Sequence, residues 1–216
     1  MILSLLQTLS GPIKSIAERF DRTPIESVEN LYLFARTRAS FVAQTSLFGY
    51  LKARMGTQFR EYFTDEIFAQ SIQASSVKVF VSCLSDLTVY VVANVAESGR
   101  LTRTEAEAMA RQCFDLGMRG GLADVDGKMV PADAYERFEQ RLRETDWATA
   151  TASDVAFSLS PVDLTRFAPV IDDFKKLDRK IVATSIGNKW REVRTAFRDR
   201  AVPDRIAIDW RSGAGL

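Results

Sequence analysis

The chain has 216 residues: 46% are hydrophobic, 10% aromatic and 26% charged, and the 29 Lys plus Arg nearly balance the 28 Asp plus Glu. That length suits one folded domain with a real core, and a formal charge of +1 gives no overall pull toward nucleic acid or anionic membrane. Histidine is absent, which excludes Ser-His-Asp and Cys-His nucleophilic sets, His-ligated zinc, haem or iron sites, and an imidazole pH switch.

Helical periods dominate the chain. Ile2, Leu6, Leu9, Ile13, Ile16 and Phe20 recur three and four residues apart. They predict an amphipathic helix over residues 1–22, kinked at Gly11-Pro12. With no basic n-region or cleavage site at its start, a signal peptide is not expected. Thr23-Pro24-Ile25-Glu26 reads as a capping box that opens the next helix. Val28, Leu31, Ala35, Ala39 and Val42 form its first apolar row, and Phe34, Phe41, Phe48 and Met55 form a second. Two rows predict a central helix, stopped by Gly56.

Thr64 or Asp65 caps a helix expected from Glu66 to Glu97. Its apolar run, Val77 to Ala96, is long enough to span a bilayer. Lys78, Asp86 and Asn94 interrupt the run, so a buried core helix is expected instead. Val77 to Val81 alternates like a strand, but no turn residue breaks the stretch, which favours helix. Thr102-Arg103-Thr104-Glu105 is a second capping box, opening a helix to Met118 that Arg119-Gly120-Gly121 ends. A polar loop follows, with a turn at Asp126-Gly127. Ala132 to Glu144 reads as a helix with Tyr135, Phe138 and Leu142 inward, and Trp147 anchors the connection after it.

Ser160-Pro161-Val162-Asp163 is the next start signal. Val170, Phe174, Leu177, Ile181, Ile186, Trp190, Val193 and Phe197 then make one long apolar stripe, which Pro203 stops. Residues 203–216 lack a period and read as a tail. The expected fold is all-α: a single-domain helical bundle of six to eight helices with a long C-terminal helix. The amphipathic helix occupies 1–22, the bundle 23–202 and the tail 203–216. Cys83 and Cys113 lie in apolar runs and read as reduced core thiols of a cytoplasmic protein, with a buried disulfide as the alternative.

Few constellations could carry chemistry. There is no Gly-x-Ser-x-Gly elbow, phosphate loop, Cys-x-x-Cys or EF-hand loop, so no cofactor and no metal is predicted. Ser75 and Lys78 fit Ser-x-x-Lys, three apart on one helix face, and are the only candidate catalytic pair. The alternative is a helix serine beside a snorkelling lysine. Asp172-Asp173 with Asp178 falls short of an aspartate-rich magnesium motif because Lys176 stands at the third position. Asp86, midway along the most apolar helix, needs a cation, and Arg36 or Arg38 is the expected partner. That group is either a core ion pair or the anchor of a ligand pocket for an anionic head group. Lys189, Arg191, Arg194 and Arg198 form a basic helix end, which either complements the dipole or faces an anionic partner.

The segment Glu29-Asn30-Leu31-Tyr32-Leu33-Phe34-Ala35-Arg36-Thr37-Arg38 and on to Lys52 resembles a family of uncharacterised alphaproteobacterial proteins. So do Cys83-Leu84-Ser85-Asp86-Leu87-Thr88-Val89-Tyr90 and Phe167-Ala168-Pro169-Val170-Ile171-Asp172. Some members carry the label esterase, which implies ester hydrolysis; here that chemistry would have to proceed without His. In helix layout, and in Ala35-Arg36 preceding Phe41, the chain is also similar to the ubiquinol–cytochrome c reductase chaperones, which implies an assembly role. The leading expectation is a non-enzymatic helical interaction protein, an assembly factor or chaperone-like adaptor. A protein partner is expected, with residues 1–20 as a candidate for peripheral membrane contact and no nucleic acid. A small-molecule or lipid-binding bundle and a His-independent hydrolase are the alternatives.

Overall fold

Helix starts and stops written into the chain are where its backbone turns. The computed structural model describes residues 23–58, 64–152 and 154–213. Among them are seven α-helices: α1 Val28–Met55, α2 Glu66–Gly99, α3 Arg103–Gly121, α4 Ala134–Glu144, α5 Leu159–Phe167, α6 Asp172–Arg198 and α7 Pro203–Ser212. The architecture is an all-α single-domain bundle, as expected. The amphipathic helix predicted over residues 1–22 lies outside the described residues.

Caps account for several boundaries. Asp65 accepts from the N–H groups of Ile67 and Phe68 to open α2, and Thr102 with Glu105 forms the predicted capping box of α3. Gly56 ends α1 in the left-handed region at φ 56°, where a Cβ would be strained. The start of α1 differs from expectation. Ser27 caps it, accepting from the N–H of Asn30, while Ile25 pairs with the chain at Ala201 in one isolated bridge. Thr23 and Glu26 are thus not its capping box, because residues 23–26 are spent on the return of α6. α3 runs on through both glycines to Gly121, and Gly120 and Gly121 lie close against the side chains of Arg36 and Phe80.

The centre of the bundle is α2, which packs against α1, α3, α5 and α7. α1 does have neighbours on two sides, α2 and α3 on one and α6 on another, but the middle belongs to α2. It is the one described helix long and apolar enough to cross a membrane, and 89% of its most apolar window is buried in protein. Burial on every side is what a helix that is apolar all round requires. Both cysteines are free and buried.

Residues 203–213, predicted as part of a tail over 203–216, are not one. Pro203 occupies the first turn of α7, and Ile206 and Ala207 are buried against the end of α2. Asp209 of α7 accepts from the N–H of Val28 at 2.8 Å, so α7 caps α1 from across the chain. On α4, Phe138 and Leu142 are buried as expected, whereas Tyr135 is exposed, stacking edge-on against Phe114 and donating to Asp115.

Candidate functional site

Two features stand out from ordinary packing: a polar row inside the bundle and an apolar row outside it. The inner row lies on the face of α2 turned toward α5. Ser75, Ser82 and Asp86 recur seven and four residues apart, so they share that face. Asp86 is fully buried. One oxygen accepts from the N–H of Leu159 at 3.2 Å and lies 2.7 Å from Arg141 of α4; the other accepts from the N–H of Ser160 at 2.8 Å. Leu159 and Ser160 are the first two residues of α5, whose own Ser158 makes no side-chain cap. Asp86 therefore supplies from α2 the anion that the N-terminus of α5 lacks.

The row continues on both sides. Ser160 accepts from the indole N–H of Trp190 at 2.9 Å, which ties α6 to the cluster. Asp163, also buried, accepts from Ser82 at 2.6 Å and from Arg137 at 2.8 Å. Arg141 also donates to the carbonyl of Ala156. Burial pushes the Asp86 carboxyl upward, opposed by Arg141, the Ser160 hydroxyl and the α5 N–H groups. Burial, reinforced by the charge of Asp86, holds the Cys83 thiol well above its ordinary range, and burial lifts Cys113 to about 12. Both sulfurs are protonated at neutral pH.

The predicted partner of Asp86 is thus corrected: it is Arg141, not Arg36 or Arg38. Arg38 is buried with its guanidinium over the Phe34 ring, and Arg36 lies beneath Gly120. The residue missed, Arg141, stands three positions after Phe138 and beside Leu142, on the edge of the inward face of α4. That spacing was its only signal. A surface cavity of about 760 Å³ reaches Arg137, Arg141, Ser158 and Leu159 from outside. A separate cavity of about 220 Å³ lies on the opposite side of α2, lined by Phe48, Ile72, Val77 and Phe80 with Gln44, Gln73 and Ser76.

Ser75 and Lys78 do come close to one another's neighbours, around Phe167. The Ser75 hydroxyl lies 2.7 Å from the carbonyls of both Ser71 and Phe167, and the Lys78 ammonium sits over the Phe167 ring. A hydroxyl that donates to a carbonyl is not giving its proton to an amine. The basic end of α6 is not one open face. Arg194 is buried, 2.8 Å from Asp154 and over the Phe157 ring, while Arg191 bonds Asn188 and Arg198 reaches back to the carbonyl of Arg194. Lys189 is half-buried. No group of three or more Cys, Asp or Glu among the described residues could hold a metal ion.

The outer row is on the first half of α6 and the residue that precedes it. Ile171, Phe174, Leu177 and Ile181 are 68%, 44%, 74% and 71% exposed. The buried positions of this helix are Asp178, Val182, Ile186, Trp190, Val193, Arg194 and Phe197. The expected single stripe is therefore two rows: Ile186, Trp190, Val193 and Phe197 face the core, and Phe174, Leu177 and Ile181 face out. Asp178 explains the divergence. It bonds Tyr50 at 2.8 Å and pairs with Arg54, turning a polar position inward and the apolar row away from α1. Only Phe174 is partly sheltered, by the Arg54 guanidinium 4.8 Å above its ring.

Comparison of the chain with protein-family models, curated proteins and solved structures gives no match.

Proposed function

We propose that the protein is a non-enzymatic helical interaction protein of the adaptor or assembly-factor kind, which engages a protein partner through the first half of α6. The observation that carries this reading is the exposed apolar row Ile171, Phe174, Leu177 and Ile181. Single exposed apolar residues need no explanation, but several in register on one face are characteristic of interaction surfaces. The row sits on a firm support, because Asp178, Tyr50 and Arg54 clamp the same stretch of α6 to α1. A rigid helix face loses little entropy when a partner binds it. The protein is proposed to act in the cytoplasm, with residues 1–20 as its contact with a membrane surface.

The test is affinity purification from the native host, keeping membrane and soluble fractions apart, with the wild type and Leu177→Glu side by side. The reading expects a partner recovered in near-stoichiometric amount with the wild type and lost with the variant. Recovery of no protein in either fraction, or equal recovery with both, contradicts it.

A second reading has one specific observation behind it, the 220 Å³ cavity between α1, α2 and the end of α3. Its apolar walls with amide and hydroxyl groups suit a small neutral ligand. A panel of such ligands should raise the melting temperature of the wild type and leave Ser76→Trp, which fills the cavity, unmoved.

A further inference from the structure

The order of charges beside the exposed row of α6 says what can cover it. At about 100° per residue, Phe174, Leu177 and Ile181 fall within about 60° of one another, and the centre of the row is turned about 150° from that of the buried positions. The spacing of three and then four residues is that of a coiled-coil seam. Asp173 and Lys180, seven residues apart, lie within about 20° of each other on one flank of the seam. Both are exposed, and the contact of Asp173 with Lys176 at 3.4 Å is a surface pair one turn away, easily exchanged.

We propose that the row is a homodimer seam, on which α6 of a second copy of this chain packs antiparallel. The inference rests on the reading of the row as a docking surface and names its partner. With the two helices crossing near Leu177, Asp173 of each copy stands beside Lys180 of the other. A two-fold contact then forms two opposite-charge pairs around an apolar centre. A parallel arrangement carries the Asp173 and Lys180 flanks of the two copies to opposite sides of the seam, where neither residue meets the other, so only the antiparallel one forms the two pairs. Ile171 of each copy extends the apolar centre on the side away from those charges. Below Phe174, Arg54 is already held by Asp178, so the seam ends on a fixed guanidinium.

Sedimentation velocity of the full chain across micromolar concentrations tests this. The wild type should pass from monomer to dimer as concentration rises. Leu177→Glu, at a position 74% exposed and outside the core, should raise the dissociation constant at least about tenfold, with an unchanged melting temperature at concentrations where both proteins are monomeric. Asp173→Lys and Lys180→Asp should each weaken the dimer several-fold, and the double variant should recover most of the loss. A double variant weaker than either single overturns the antiparallel arrangement. A wild type that stays monomeric overturns the dimer, and thiol labelling of Ile181→Cys then separates the causes. Fast labelling leaves the row open for a different protein, so the docking reading survives. Slow labelling that Ile13→Asp makes fast means that the chain's own N-terminal segment covers the row, and both readings fall.

Discussion

A carboxylate with no exposed atom carries the inner architecture. Removing Asp86 from water costs several kcal/mol, and Arg141 with the two N–H groups of α5 offsets that cost. Asp86→Ala strands a guanidinium and an uncapped helix end at once. It should lower stability by about 3–5 kcal/mol in urea denaturation, and a loss under about 1 kcal/mol would contradict the assignment. Asp178 obeys the opposite sign. The Arg54 hydrogen bond first, and that of Tyr50 after the opposing effect of burial, hold its carboxyl below the ordinary 3.8. Its contribution is therefore complete above about pH 4 and is lost as the pH falls through the depressed folded value. Stability curves of the wild type and Asp178→Asn should differ most near neutrality and converge in acid. A gap that widens on acidification would contradict the ion pair.

At the scale of the element, α7 and α6 show what a sequence states and what it leaves open. α2, α3 and their caps are legible because long apolar periods and Asp65 or Thr102 agree on where each begins. α7 is not. Its buried side chains are only Ile206 and Ala207, too few to make a period, and Pro203 reads equally well as a stop or as a first helical residue. The closeness of α7 to α2 is carried by Gly99, where a Cβ would stand 2.5 Å from that of Ala207. Gly99→Ala should push the helices apart and cost about 1–3 kcal/mol by thermal or urea unfolding. A neutral or stabilising result would mean that α7 yields freely. On α6 the period is clear, yet it mixes two faces. An apolar residue facing the core and one facing a partner have the same chemistry, so Leu177 and Trp190 enter one stripe although only Trp190 is buried. Asp86 declared its need for a cation. The identity of Arg141 depended on where α4 lies relative to α2, which local spacing does not encode.

The whole molecule is an apolar helix wrapped on all sides, with one surface left unfinished. Enclosure by α1, α3, α5 and α7 covers the apolar faces of α2, while Asp86 is tolerated through Arg141 and the N-terminus of α5. The central claim is that the outer row of α6 meets protein in the cell. A photo-crosslinking amino acid placed at Leu177, with Ile208 on α7 as an equally exposed control, tests it most directly. Position 177 should give a discrete crosslinked product in the native host, and position 208 none. A position 177 that gives no product, or only the smear that position 208 gives, would contradict it.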